Sequence, residues 1–202
     1  MKAKDFFDQF IEQIECKLAT ATKSYLDFKE FTSFVISTIS EILDNNDEKF
    51  DRGYYRADVF SWIDLKDMLP KQIKKQKPKG LKEYCWIPAT VVEHENTYSR
   101  WLDEVVKLAY INVPLKVVIG YLPVNEPHNE YIEYVSQIYS FLAERVPFKD
   151  DNEFLIMIGN AKTTDEKEYF QYQPYLYDQE TKKFQLQSTW IKPIENLVFG
   201  DM

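Results

Sequence analysis

Cysteine, histidine and glycine are all scarce in this 202-residue chain, with two, two and five copies respectively. Cys16 and Cys85 form no CxxC pair and no spacing of a bridge framework, which excludes a disulfide-stapled scaffold and predicts reduced, buried thiols in a cytoplasmic protein. The glycines are scattered, so no glycine-rich loop is present to cradle a phosphate. No apolar run approaches the length that spans a bilayer, and no segment reads as an export signal, so no membrane partner is expected. Positive charge is also in deficit. A formal charge of −8 excludes coating of nucleic acid by bulk electrostatics, because phosphate neutralisation needs a surplus of lysine and arginine on the contacting face.

What the chain does have is apolar and aromatic residues, 45% and 16% of the total, enough to build one sizeable core over residues 1–202. Phe6, Phe7, Phe10, Ile11, Ile14 and Leu18 recur at helical spacing and predict a helix over 4–18. Phe28, Phe31, Val35, Ile39 and Ile42 predict a second over 24–43, with Ser24 as its N-cap. The period then changes: GYYRADVFSWI, residues 53–63, reads as a strand. Residues 66–80 read as a loop broken by Pro70, Pro78 and Gly80, and 84–95 as a strand with Pro88 at a bend or an edge. Beyond it the pattern predicts a helix from Asn96-Thr97 to Asn112, a buried strand LKVVIG (115–120), a helix over 129–145 and a buried strand FLIMIG (154–159). That alternation implies a parallel portion of sheet joined by right-handed crossovers. Residues 169–177 and 184–190 flank a polar turn and predict an aromatic β-hairpin, read as core or as the surface of a homodimer.

The pointed chemistry lies in carboxylates. Asp58 shares its strand face with Tyr54, Arg56, Phe60 and Trp62, a setting too apolar for a free carboxylate. A carboxylate there must neutralise, pair or bind a cation. Glu93 and Glu95 stand two apart on the next predicted strand and project to one face, where each raises the other's pKa unless a cation compensates. Magnesium (or manganese) suits such a set, because it takes hard oxygen ligands and keeps waters for substrate phosphate. The plainer alternatives are an Arg56–Asp58 pair and two solvated strand glutamates.

The order of helix, strand with Asp58, strand with Glu93-His94-Glu95, helix, then LKVVIG resembles the PD-(D/E)XK nuclease superfamily over residues 24–120. The resemblance implies an α/β fold: a restriction-endonuclease-like three-layer core with a mixed central sheet flanked by helices. Residues 121–202 would extend the sheet and end in the hairpin. It further implies Mg²⁺ (or Mn²⁺) held by Asp58, Glu93 and Glu95, and hydrolysis of phosphodiesters in nucleic acid, DNA foremost. The family's usual lysine, two residues after the glutamate, is Glu95 here; some members move that lysine to the following helix, where Lys107 is the candidate. An ordinary surface pair of Lys107 with Glu104 or Asp103 is the plainer reading.

Seven lysines lie between Lys66 and Lys82, and Lys71, Lys74, Lys75, Lys77 and Lys79 are the expected nucleic-acid contacts, tracking phosphate without reading bases. His94 is expected to point away from Glu93, His128 to be an exposed loop residue, and Glu41 an exposed helix residue. The rival functions are a catalytically inactive module of the same fold that binds a protein or nucleic-acid partner, and a metal-dependent hydrolase of a small phosphorylated compound.

Overall fold

The computed structural model describes residues 1–25, 27–79, 85–97, 100–123, 128–146, 151–160 and 169–193. Gly80, Lys82 and Tyr84, at the edges of the expected loop and strand, and the side chain of Phe28 lie outside the described residues. The first predicted helix is two: α1 (Ala3–Cys16) stops at Lys17, whose backbone leaves the helical region, and α2 (Leu18–Tyr25) follows. The next, α3 (Phe28–Asn45), begins later than expected. Its N-cap is Asp27, whose carboxylate accepts from the backbone N–H groups of Lys29 and Glu30, a charged cap at the positive end of the helix. Ser24 instead lies inside α2 and donates to the Ala21 carbonyl.

The predicted strand over 53–63 is a correction. Gly53, at φ 76, turns the chain between β1 (Lys49–Arg52) and a 3₁₀ turn (Tyr54–Arg56), and only then does β2 (Val59–Asp64) begin. Asp58 therefore sits just ahead of a strand and not within one. The expected loop also carries structure, a 3₁₀ turn (Lys66–Met68) and a short helix, α4 (Lys71–Gln76), fitted between Pro70 and Pro78. The remaining elements follow the predicted order: β3 (Trp86–Glu95), α5 (Trp101–Ala109), β4 (Leu115–Leu122), α6 (His128–Ala143) and β5 (Glu153–Asn160). The aromatic hairpin is β6 (Tyr169–Asp178) with β7 (Lys183–Leu186), while Trp190 opens a separate strand, β8 (Trp190–Pro193).

Among the described residues, eight strands join one mixed sheet in the order β1-β2-β3-β4-β5-β6-β7, with β8 also on β6. The β3-β4 and β4-β5 pairs are parallel, bridged by α5 and α6 as crossovers, and the other pairs are antiparallel. Helices cover both faces. Phe6, Phe10, Phe31, Val35 and Ile39 pack with Val59, Val92, Val117 and Met157 on one, and Trp101, Val105 and Val135 with Phe60, Val91, Val118 and Ile156 on the other. Burial of each such side chain contributes about 1.5–3 kcal/mol. The hairpin aromatics Phe170, Tyr172, Tyr175 and Phe184 pack inward.

Two local features set how β2, β3 and α5 meet. A register shift between Phe60 and Trp62 sets Pro88 opposite Trp62, and the Ser61 hydroxyl, bonded to the buried Glu48 carboxylate, accepts from the Thr90 N–H at 2.9 Å to hold the irregularity. Gly120 leaves room for α5: a Cβ there would lie 2.8 Å from Cγ of the buried Trp101. Both cysteines are free, and Cys16, expected to be buried, is exposed, because it falls off the apolar stripe at the end of α1. Among the described residues no helix is long and apolar enough to cross a membrane.

Candidate functional site

Antiparallel pairing of β2 with β3 sets Val59 opposite Val92, so the residue before β2 and the residue after Val92 become neighbours. Asp58 is held there by the backbone: its Oδ2 accepts from the His94 N–H at 2.8 Å. Glu93 shares the face of Val91, is 2% exposed, and comes within hydrogen-bonding reach of Asp58. The third member arrives from α5. Lys107 Nζ lies 2.7 Å from Glu93 Oε1, pairs also with Glu104 one turn earlier, and donates to the Arg56 carbonyl at 3.2 Å.

Burial dominates the electrostatics. It pushes the Asp58 carboxyl up, against the His94 N–H and the Lys107 ammonium, which pull it down. It pushes Glu93 up to about 8, opposed by Lys107 and reinforced by the Asp58 and Glu104 charges. Burial also works against the Lys107 ammonium, but Glu104 and Glu93 outweigh it and hold its pKa above the ordinary lysine value. Both carboxyls are thus held toward the protonated form even with the lysine in place.

The other expected residues are placed as follows. Glu95 ends β3 with its carboxylate turned to the backbone, where Oε1 accepts from the Thr97 N–H at 2.7 Å. It does not join Asp58 and Glu93. His94 faces the opposite core, its Nε2 3.0 Å from the Tyr121 hydroxyl, and burial lowers its pKa to about 3. Glu41 pairs with Lys17 on the surface. His128, expected as an exposed loop residue, opens α6 half-buried, its Nδ1 2.8 Å from Gln173 Oε1.

Lys71, Lys75, Lys77 and Lys79 are exposed and Lys74 is half-buried, but the segment lies at the far end of the β2-β3 pair, beyond Asp64 and Trp86. A strand of this length separates it from Asp58 by on the order of 20 Å. One contributor that sequence reasoning did not assign to the site is Glu104. Its spacing one helical turn before Lys107 was the available signal.

Comparison with known proteins supplies no relative: the chain matches no family model, no curated protein and no solved structure. Among the described residues no cluster of three or more His, Cys, Asp and Glu side chains is arranged as a metal cage. Two convergent carboxylates nevertheless fit magnesium, which is commonly held by one or two carboxylates while waters and substrate phosphate complete its shell. The Lys107 ammonium, drawn between Glu93 and Glu104, already stands as a positive charge beside the pair.

Proposed function

We propose that the chain is a divalent-metal-dependent nuclease of restriction-endonuclease-like fold, hydrolysing phosphodiester bonds in nucleic acid, DNA foremost. The observation that carries the reading is the convergence of Asp58, just ahead of β2, Glu93 on β3 and Lys107 on the following helix α5. That is the order in which the resembling superfamily presents its acids and, in members with a displaced lysine, that lysine.

Asp58 and Glu93 would hold Mg²⁺ or Mn²⁺, which when bound supplies Lewis acidity and a water of lowered pKa. The chain's own residues supply the rest. The His94 N–H fixes one oxygen of Asp58, and Glu93 lies within hydrogen-bonding reach of the same carboxyl. Glu93 must shed the proton that burial favours before it can act as a ligand, which makes binding pH-dependent. Lys107, held by Glu104 as well as by Glu93, would offer its ammonium to the charge that develops on phosphate oxygens.

A second reading has its own support. Lys107 already satisfies Glu93, and Glu95, in place of the family lysine, is committed to the Thr97 N–H, as in a module that keeps the fold and binds a partner without cleaving it. Incubation with circular single-stranded and duplex DNA in Mg²⁺ or Mn²⁺ separates the two. The nuclease linearises at least one, and Asp58→Asn and Glu93→Gln abolish this without loss of thermal stability. Equal activity in the variants would assign the cleavage to a contaminant and leave the binding module.

A further inference from the structure

The sheet face that carries Asp58 and Glu93 continues beyond Phe60 into a cleft of about 660 Å³, walled by Tyr54, Trp62 and Trp86 and rimmed by Lys49, Asp64 and Lys66. The register explains the shared face. Lys49 lies opposite Trp62 and Asp51 opposite Phe60, so alternate residues of β1 and β2 point into the same space.

The rings form a continuous strip: Tyr54 to Phe60 at 5.4 Å, Tyr54 to Trp62 at 6.3 Å and Trp62 to Trp86 at 6.1 Å between centroids. Phe60 is buried, but Tyr54 is 39% exposed and both tryptophans are only half-buried, so π faces remain open to a ligand.

Charge decides what kind of ligand fits. Lys49 and Lys66 both approach the single carboxylate of Asp64, at 2.6 and 3.5 Å, and Asp51 balances the lining. The chain leaving the cleft then adds Lys71, Lys74, Lys75, Lys77 and Lys79 with no acid among them. The lining itself is balanced, Lys49 and Lys66 against Asp51 and Asp64, so the five lysines of the adjoining segment set the local sign and disfavour a cationic guest. Aromatic faces beside lysines are the combination that grips single-stranded nucleic acid, whose unpaired bases offer π faces a duplex conceals.

We propose that this cleft stacks unpaired bases of a nucleic-acid strand, one against Trp86 and another against Trp62, whose ring planes are inclined by 47°, while the α4 lysines neutralise the neighbouring phosphates. The strand is gripped here and runs along the sheet face, past Tyr54, toward Asp58 and Glu93. The inference rests on the reading of the chain as acting on nucleic acid, and not on its cutting it.

The test uses the full chain carrying Asp58→Asn, in EDTA, with fluorescence anisotropy of a labelled oligothymidylate and of an abasic deoxyribose-phosphate strand of equal length. Oligothymidylate is expected to bind more tightly than the abasic strand. Trp86→Leu and Trp62→Leu should each weaken oligothymidylate binding roughly tenfold without changing its salt dependence, while Trp86→Phe retains most of it. Replacing Lys71, Lys74 and Lys75 by glutamine should flatten the salt dependence instead. Equal affinity for the two strands, no binding of oligothymidylate, or a folded Trp86→Leu protein that binds like its parent overturns the proposal. Failure here is distinguishable from failure of the nuclease reading: tryptophan-dependent binding by a wild-type protein that cuts nothing in Mg²⁺ keeps the cleft and rejects hydrolysis. Cleavage that ignores Trp86 does the reverse.

Discussion

Lys107 Nζ lies 2.7 Å from Glu93 Oε1 while also pairing with Glu104, so a single ammonium from α5 serves a buried carboxylate on β3 and a half-exposed one on its own helix. This contact ties the helix to the sheet where the acidic residues converge. If the proposed metal binds, Lys107 is the group it would displace from Glu93.

The buried Glu93 carboxyl gives a pH signature. Its pKa, raised to about 8 chiefly by burial, exceeds that of the unfolded chain, so the native state binds the extra proton. Its contribution to stability is full below the unfolded value and is lost as pH rises through about 8. Urea denaturation from pH 5 to 9 should show wild-type stability falling relative to Glu93→Gln across that window. A parallel pair of curves would mean that Glu93 is ionised in the folded protein throughout.

His94 predicts the opposite slope. Burial lowers its pKa to about 3, so in the acid range the unfolded chain takes up a proton that the native state refuses. Its contribution is present above the unfolded value near 6.5 and lost as pH falls. Relative to His94→Phe, which keeps a ring beside Phe31 and Tyr121, wild type should lose about 2 kcal/mol between pH 7.5 and pH 5. Identical pH dependence of the two proteins would show that His94 gains a proton without cost.

Gly120 couples the sheet to the lysine. A Cβ at this position would press on Cβ and Cγ of Trp101, the first residue of α5, and the ring is fully buried. Gly120→Ala is expected to destabilise by about 1–3 kcal/mol, the usual cost of overpacking. Because α5 must shift, the variant should also lose the Lys107 contact, read as a further rise in the Glu93 pKa. A Gly120→Ala protein with unchanged melting temperature would show that the helix yields freely.

The sequence was most readable where one periodicity ran uninterrupted. LKVVIG and FLIMIG, covered on both faces, and the stripes Phe6/Phe10/Ile14 and Phe31/Val35/Ile39 have structural counterparts close to where pattern places them. It misled where local backbone geometry overrides composition. Aromatic density in GYYRADVF reads as strand, yet Gly53 at φ 76 and Arg56 at φ 59 fold it into a turn, and the true edge strand is the charged KFDR before it.

The site was legible in part. Asp58 and Glu93 could be paired because consecutive strands usually lie side by side. Glu95 could not be separated from them, because its turn toward the Thr97 N–H depends on how β3 ends. The lysine segment reads as tracking phosphate, and its distance from the acids follows from topology, because a segment joining two antiparallel strands sits at the end away from Asp58 and Glu93.

The most direct test of the proposed metal site is calorimetric titration of Mn²⁺ into the wild-type protein and Asp58→Asn. Binding by the wild type is expected to strengthen as pH rises toward 8, as Glu93 gives up its proton, and to be lost in the variant. No binding to a folded wild-type protein, or equal binding by both, would contradict the assignment of Asp58 and Glu93 as metal ligands.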